Sequence, residues 1–183
     1  MPLTADVTVL GLDPDTQGTG VAICTNSRVV SLGVCENIRD ARGHKAVIQQ
    51  VEVLSDLINR MCVTPITAAV IEVPVDYGVN RRVDPNKLIL LSMVSGAAAA
   101  VCRRFTDRVL FVKPSEWKGQ RKKEQDHKLT LDHFNFPYAE GKVLAVPEDT
   151  VVFGKISDSH WKEAVDAMGI SWWYLRRLLK YGG

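Results

Sequence analysis

Three β-rich runs follow one another at the start of the sequence, at residues 7–12, 19–25 and 28–34. Only clusters of turn-forming residues separate them, and turns this short join antiparallel neighbours. The sequence therefore predicts a three-stranded antiparallel meander. Directly afterwards, apolar residues recur at spacings of three and four between residues 47 and 61, which is typical of an amphipathic helix. This change of period restricts the chain to folds in which helices pack on a sheet that begins as a meander.

The rest of the chain alternates between strand and helix patterns. Residues 68–73 form a short apolar run that favours a buried parallel strand, and residues 109–112 predict a fifth strand. Helices are predicted over 85–104 and 124–134, and from the cap formers around Ser159 to near the C-terminus, whereas 135–155 predicts a loop with at most one strand. In order, these elements predict an α/β fold with a mixed five-stranded sheet, three strands antiparallel and the others parallel, and helices on both faces.

Length and composition are those of one globular domain covering residues 1–183, with 46% hydrophobic and 24% charged residues. We expect no membrane-spanning segment, because no apolar run approaches about 20 residues. The first residues lack the pattern of a secretion signal, which predicts a cytoplasmic protein. The four cysteines lie singly in apolar segments, which favours buried thiols over disulfides or zinc ligands.

Two acidic residues lie where strands are predicted. Asp13 follows the first strand, where an Asp-Pro pair can also simply begin a turn. Glu72 lies inside the apolar run 68–73, where an unpaired charge costs several kcal/mol. It therefore needs a metal, a position at the strand end open to water, or a cationic partner in a buried ion pair.

Two further carboxylates, Glu163 and Asp166, are three residues apart in the last helix. A solvated polar face would explain them, but the residues around them are largely apolar, so convergence on a cation is the better interpretation. Carboxylates without histidine or cysteine partners prefer Mg²⁺ or Mn²⁺. Two such ions held close together can activate water and stabilise the leaving oxygen of a phosphodiester.

The net charge is only +2, but cations are concentrated in two places. Five lysines and arginines against two acids lie between residues 117 and 128, and Arg176, Arg177 and Lys180 lie near the C-terminus. Such patches suit phosphate groups, although a solvated surface explains them equally well.

Three segments of the sequence match motifs that occur together in one known family. Residues 11–20, GLDPDTQGTG, resemble the opening motif G-[IL]-D-P-G-x-x-x-T-G, with Asp15 in place of a glycine. Residues 163–170, EAVDAMGI, resemble the closing D-x-x-D-A-L-[AG]-[IL] helix, with Glu163 where the family has Asp or His. Residues 114–119, PSEWKG, together with two lysines beyond them, resemble a segment of the family's phage-type members. On these motifs the chain resembles the RuvC-like Holliday junction resolvases of the RNase H-like superfamily.

The resemblance implies an RNase H-like nuclease that acts as a homodimer and cuts opposed strands of a four-way DNA junction symmetrically. It implies two Mg²⁺ or Mn²⁺ ions per active site, held by Asp13, Glu72, Asp166 and Glu163, with His160 as an alternative to the last. The DNA contacts that it implies are Lys118, Lys122 and Lys123, together with Tyr77, Arg81 and Arg82 in the segment that follows Glu72.

Two other functions remain compatible with the sequence. A less selective metal-dependent nuclease of the same fold would act on flaps, nicks or RNA. A non-catalytic RNase H-like scaffold that binds nucleic acid would keep the hairpin around Asp13 but would have no use for Glu72. An ATP-binding kinase of a related fold needs a second lobe, for which 183 residues are too few.

Overall fold

The computed structural model describes residues 7–36, 43–75, 84–140 and 142–181. Strands β1, β2 and β3 form the meander, and β4 and β5 follow after helices α1 and α2. Two short helices, α3 and α4, precede the hairpin β6–β7, the strand β8 and the long final helix α5. The bounds are β1 Val9–Pro14, β2 Gly18–Cys24, β3 Val29–Glu36, α1 His44–Met61, β4 Ala68–Glu72, α2 Pro85–Cys102, β5 Val109–Val112, α3 Pro114–Trp117, α4 Lys123–His133, β6 Tyr138–Ala139, β7 Lys142–Val143, β8 Val151–Phe153 and α5 Trp161–Tyr181.

The main sheet has the strand order β5-β4-β1-β2-β3-β8. The pairs β1/β2 and β2/β3 are antiparallel, whereas β1/β4, β4/β5 and β3/β8 are parallel. The predicted mixed α/β sheet is confirmed, but it has six strands rather than five. The additional strand, β8, has only three residues and pairs with β3 far away in sequence, so its own pattern is too short to distinguish it from a loop. The expectation of a loop with one strand over 135–155 is wrong, because the two-residue strands β6 and β7 lie there as well.

Helices cover both faces of the sheet, as predicted. One face packs against α5, with α4 outside it, around core residues such as Val70, Leu131 and Met168. The other face packs against α1 and α2 around Leu12, Leu54 and Ile71. Because strand side chains alternate between faces, the apolar residues of β1 and β4 divide between these two cores. Three of the cysteines, Cys24, Cys35 and Cys102, are buried and all four are free thiols, as the sequence predicted.

Helix α2 differs from the expectation that no segment could span a membrane. By length and composition its 18 residues, with a mean hydropathy of 1.4, are apolar enough to do so, and 28% of the helix is buried. Helices in the core of soluble proteins have the same character, and Ala98, Val101 and Cys102 belong to the core that lies between the sheet and helices α1 and α2. The exposed side of α2 nevertheless presents apolar residues such as Ile89 and Met93.

Candidate active site

Asp13 and Glu72 lie at the same edge of the sheet. The parallel strands β1 and β4 are in register with Leu12 opposite Ile71, so the next residue along each strand is an acid. Because Leu12 and Ile71 belong to the core beneath α1 and α2, the alternation of strand side chains directs Asp13 and Glu72 to the opposite face, towards α5. Neither acid lies in the middle of an apolar surface, because each stands where its strand ends or nearly ends.

Helix α5 delivers the other two acids through an unusually close approach to the sheet. A Cβ atom at Gly11 would overlap Ser171 Oγ and the carbonyl oxygen of Ala167, and one at Gly20 would overlap the carbonyl oxygen of Glu163. Both glycines belong to the opening motif 11–20, so their lack of a side chain allows α5 to lie directly on β1 and β2. That contact positions the start of α5, with Glu163 and Asp166, beside Asp13.

A cleft of about 240 Å³, here called the acidic cleft, contains all four predicted acids. Two of the predicted DNA-binding lysines, Lys118 and Lys123, line it as well. Its lining residues are Asp13, Pro14, Asp15, Glu72, Pro74, Leu91, Lys118, Lys123, Lys162, Glu163 and Asp166. The acids come from three segments, β1, β4 and α5, which lie up to about 150 positions apart in the sequence, and the fold brings them to one place.

Lysine ammonium groups lie against the carboxylates in this cleft. Lys123 Nζ is 2.6 Å from Asp166 Oδ2, and Lys118 Nζ bridges Asp166 Oδ1 at 3.6 Å and Glu72 Oε2 at 3.7 Å. Asp166 is almost completely buried, with a side-chain exposure of 1%, so it requires such partners. Glu72 therefore has a cationic partner, Lys118, which is one of the alternatives that its place in the sequence left open, and it also lies among the other acids.

The surroundings shift the pKa values of three carboxylates, those of Asp13, Glu72 and Asp166, in different directions. Burial raises the pKa of Asp13 well above its ordinary value, and the charges of Asp166 and Glu72 raise it further. Burial also raises the pKa of Glu72, although Lys118 and the Trp117 hydrogen bond oppose it. For Asp166, burial is the largest single influence, but the His127 hydrogen bond and the two lysines outweigh it and lower its pKa to about 2. An added cation would favour the ionised form of Asp13 and Glu72, which the site itself opposes.

Two residues that the sequence analysis did not single out hold the acids in place. Trp117 Nε1 donates a hydrogen bond of 2.5 Å to Glu72 Oε2, and His127 Nε2 lies 2.9 Å from Asp166 Oδ1. Trp117 belongs to the short helix α3, and His127 to α4, so both contacts join elements distant in sequence. The only sequence signal was their place in the segment 114–128, beside the lysines.

The turn between β1 and β2 is also fixed from a distance. The buried side chain of Gln50, on α1, donates hydrogen bonds to the Asp15 carbonyl oxygen at 2.7 Å and to Thr19 Oγ1 at 2.8 Å. Asp15 Oδ1 in turn accepts from the Gln17 backbone N–H. Among the non-glycine residues in the described segments, only Asn135 and Glu140 have positive φ, so Asp15 replaces the motif's glycine without a left-handed backbone.

The described lining of the acidic cleft offers carboxylate oxygens and no histidine or cysteine, a donor set that suits Mg²⁺ or Mn²⁺, while the neighbouring His127 is hydrogen-bonded to Asp166. Glu163 Oε2 is buried without a hydrogen-bond partner, a costly state that a cation would relieve. Within residues 7–36, 43–75, 84–140 and 142–181, no three acidic, histidine or cysteine side chains are gathered closely enough to enclose a metal. The ammonium groups of Lys118 and Lys123 neutralise the carboxylates instead.

The remaining predicted site residues divide into two groups. Lys122 is exposed at the N-cap of α4 and is absent from the described lining of the acidic cleft. His160 lies 2.9 Å from Glu36 Oε1 and also contacts Ser157 Oγ, so Glu163 and not His160 lines the cleft. Tyr77, Arg81 and Arg82 lie outside the described residues.

Comparison with known proteins gives a clear result for structure only. Neither a protein-family model nor a curated protein matches the sequence. The structure is similar to that of T. thermophilus RuvC in complex with a Holliday junction substrate, with a TM-score of 0.64 and 14% identity over 94% of this chain and 97% of that one. Another structure of Thermus thermophilus RuvC gives a TM-score of 0.62 with 15% identity, covering 93% of this chain and 96% of that one.

The yeast mitochondrial Holliday junction resolvase Ydc2 is similar over 98% of this chain and 85% of its own, with a TM-score of 0.51 and 13% identity. Together with the order of strands and helices, these matches define the chain as a protein of RNase H-like fold. Within that class, its fold is the one found in RuvC and the mitochondrial resolvase, which confirms at the level of fold the resemblance seen in the sequence.

Proposed function

We propose that this protein is a metal-dependent endonuclease that resolves four-way DNA junctions. The observation that carries the proposal is the acidic cleft, in which carboxylates from β1, β4 and α5 meet two lysines at one edge of a RuvC-type fold. Burying four acids together is costly, and a scaffold that merely binds nucleic acid gains nothing from it. An enzyme that places a cation against a phosphodiester needs this combination.

The four acids would hold Mg²⁺ or Mn²⁺, and a metal bound there would activate a water molecule and stabilise the leaving oxygen of the phosphodiester. The protein's own groups have separate tasks. Asp166 is kept ionised by His127, and Glu72 is oriented by the indole N–H of Trp117. Both acids are thus held in fixed positions before any substrate is present.

Lys118 and Lys123 have a second role on the DNA. In the structure described above they neutralise Asp166 and Glu72, and a metal ion would compete with them for the same oxygens. DNA brings its own negative charge, so the released ammonium groups can pair with phosphate oxygens next to the scissile bond. Exchange of the lysine–carboxylate pairs for lysine–phosphate pairs would couple DNA binding to metal binding.

We extend the proposal to a homodimer whose two copies cut opposed strands. The described residues of one chain contain one acidic cleft, and symmetric cutting of a junction needs two. The exposed face of α2 suits the contact, because Ile89 is 59% exposed, Met93 is 44% exposed and Gly96 leaves room for a second backbone to approach.

A single assay tests the proposal. End-labelled four-way, flap and linear duplex DNA are incubated with the wild-type protein in Mg²⁺ and in EDTA, with Asp166→Asn as the control for a contaminating nuclease. We expect paired nicks in the four-way junction, in Mg²⁺ only, and none with the variant. Equal cutting of all three substrates would replace junction resolution by a less selective nuclease, and binding without cleavage would support the scaffold.

A further inference from the structure

A second cleft lies on the same side of the sheet as the acidic cleft but contains none of its acids. This cleft, here called the arginine cleft, has a volume of about 450 Å³ and is formed by α3, the loop after it and the last turns of α5. The residues on which the argument depends are Trp117, Arg121, Trp173, Arg176, Arg177 and Lys180. Arg176, Arg177 and Lys180 are the C-terminal cations noted in the sequence.

The charge of the arginine cleft is strongly positive. Four of its lining residues are cations and one, Glu116, is an anion. The Glu116 carboxylate already accepts a hydrogen bond of 2.7 Å from the backbone N–H of Lys113, and Arg121 is paired with the buried Asp126 at 2.7 Å. The exposed residues Arg176, Arg177 and Lys180 therefore supply most of the positive potential that a ligand meets.

Both exposed arginines are held over tryptophan rings one helical turn away. Arg177 Cζ lies 4.7 Å from the centre of the Trp173 ring, and Arg176 Cζ lies 5.0 Å from that of Trp172. Stacking restricts the long arginine side chains while their N–H groups stay available at the edge of each guanidinium plane. A planar cation fixed in this way is well suited to two oxygens of one phosphate.

Trp117 connects the arginine cleft with the acidic cleft. Its indole N–H binds Glu72, and its backbone carbonyl oxygen accepts a hydrogen bond of 3.1 Å from Arg121 Nη2. Trp117 thus lines the arginine cleft and contacts Glu72 of the acidic cleft, so the two clefts are neighbours and a chain of phosphates bound at one can continue to the other. A small anion has no use for this continuity, whereas a DNA backbone, with a charge at every nucleotide, does.

We infer that the arginine cleft binds the phosphate backbone of one duplex arm of the junction, away from the phosphate that is cut. The inference rests on the proposed function, because it takes branched DNA as the ligand. It assigns to Arg176 and Arg177 a DNA contact that adds affinity without touching the reacting phosphate. Lys118 and Lys123 then bind at the scissile position, and the arginines extend the footprint along the arm.

The test compares the wild-type protein with Arg176→Gln/Arg177→Gln, and with Lys45→Gln/Arg60→Gln as the control. The control pair removes the same charge from α1, on the opposite face of the sheet. Binding of a four-way junction is measured at several salt concentrations without divalent metal. We expect the Kd of the arginine variant to rise about tenfold, and the slope of log K against log salt to become shallower by about 1.8, which corresponds to two phosphate contacts. The control should match the wild type.

Phosphate ethylation interference then locates the contact. We expect modified phosphates outside the scissile dinucleotide to interfere with wild-type binding and to lose that effect in the arginine variant. A Kd and a salt slope equal to those of the control, or interference restricted to the scissile position, would overturn the inference. If the glutamine pair folds poorly, the single variants Arg176→Gln and Arg177→Gln keep the inference testable, because each should make the salt slope shallower by about 0.9.

Failure of the inference is distinguishable from failure of the proposed function. If the wild-type protein binds and cuts four-way junctions but the arginine variant has an unchanged Kd, only the arginine cleft is excluded. If the wild-type protein shows no preference for branched DNA in the same titrations, the proposed function fails and takes the inference with it. Unfolding temperatures of all variants, measured alongside, separate loss of contact from loss of fold.

Discussion

His127 Nε2 lies 2.9 Å from Asp166 Oδ1, and this hydrogen bond is the strongest of the influences that lower the pKa of the aspartate against the opposing effect of burial. Asp166 has a side-chain exposure of 1% and also contacts both lysines of the acidic cleft. A residue in the second turn of α4 therefore helps to determine how a carboxylate on the last helix is oriented and charged.

Replacing His127 by Asn should reduce cleavage more by weakening metal binding than by weakening DNA binding. Groups that orient a metal ligand typically change metal affinity or activity by about 10- to 100-fold when they are removed. We expect the Mg²⁺ concentration for half-maximal cleavage to rise within that range, while junction affinity in EDTA stays near the wild-type value. The measurement is the single-turnover rate as a function of Mg²⁺ concentration.

His133→Asn is the matched control, because His133 lies on the same helix but contacts the Asn26 carbonyl oxygen and stacks on Trp172. Its Mg²⁺ dependence should equal that of the wild type. If His127→Asn behaves in the same way as His133→Asn, the contact with Asp166 has no part in catalysis.

Asp13→Asn should abolish cleavage and yet stabilise the metal-free protein. The pKa of Asp13 is raised in the folded state, mainly by burial, so its ionisation favours the unfolded chain. The stability linked to this group is fully present below the unfolded pKa of about 3.9 and is lost as the pH rises through the folded pKa. We expect the variant to unfold a few degrees above the wild type at neutral pH in EDTA, with the difference disappearing in acid.

Thermal unfolding over a range of pH, with Glu52→Gln on the exposed side of α1 as the control, provides the measurement. Adding Mg²⁺ should raise the unfolding temperature of the wild type more than that of Asp13→Asn, because the metal neutralises the Asp13 carboxylate and the variant has no such carboxylate. A variant that is less stable than the wild type at neutral pH would show that Asp13 is a structural acid.

The structure brings together the four acids that the sequence singled out, whereas two residues that hydrogen-bond to them were not singled out. Asp13 and Glu72 adjoin or lie in apolar runs that the local sequence predicts as strands. Glu163 and Asp166 lie in a predicted helix whose surrounding residues are largely apolar. Their convergence depends on the register of β1 against β4 and on the close approach of α5 to Gly11 and Gly20, and local sequence patterns show neither of these tertiary contacts.

The contacts of Trp117 and His127 could not be predicted, because each reaches an acid that is tens of residues away and depends on how α3 and α4 pack. The short elements α3 and β8 could not be predicted for a related reason. Helix α3 has four residues and β8 has three, so neither is long enough to show a period, and β8 exists because β3 offers it a free edge. Tertiary pairing rather than local preference determines such segments.

Lys123→Gln should weaken DNA binding and also destabilise the metal-free protein. Lys123 Nζ is 2.6 Å from Asp166 Oδ2, so its removal takes one positive charge from a cluster of carboxylates. We expect a lower unfolding temperature in EDTA, recovered in large part by Mg²⁺, and a salt slope for DNA binding that is shallower by about 0.9. The two measurements are thermal unfolding with and without Mg²⁺ and junction titration at several salt concentrations.

Lys122→Gln provides the comparison one residue away, because Lys122 is exposed and outside the described lining of the acidic cleft. Its unfolding temperature should not depend on Mg²⁺ more than that of the wild type does. Equal stability of the two variants in EDTA would mean that Lys123 adds nothing to the neutralisation of Asp166.

The last prediction concerns the dimer. Gly96 lies on the exposed side of α2 between Met93 and Ala100, and a Cβ atom there would meet nothing within 4 Å in a single chain. Gly96→Leu should therefore leave the folded monomer intact, whereas a leucine at a closely packed helix contact would separate two copies. We expect the wild type to be a dimer by light scattering at micromolar concentration and the variant to be mostly a monomer, with Gln125→Leu on α4 remaining dimeric.

The two oligomeric states should also differ in the products that they make from a supercoiled plasmid with an extruded cruciform. A single nick releases the supercoiling and the cruciform is reabsorbed, so linear product requires two cuts within one encounter. The wild-type dimer at limiting concentration should give mainly linear DNA, and Gly96→Leu should give mainly nicked circles. A wild-type protein that is monomeric and yields nicked circles would contradict paired cutting and favour a nuclease that makes independent single cuts.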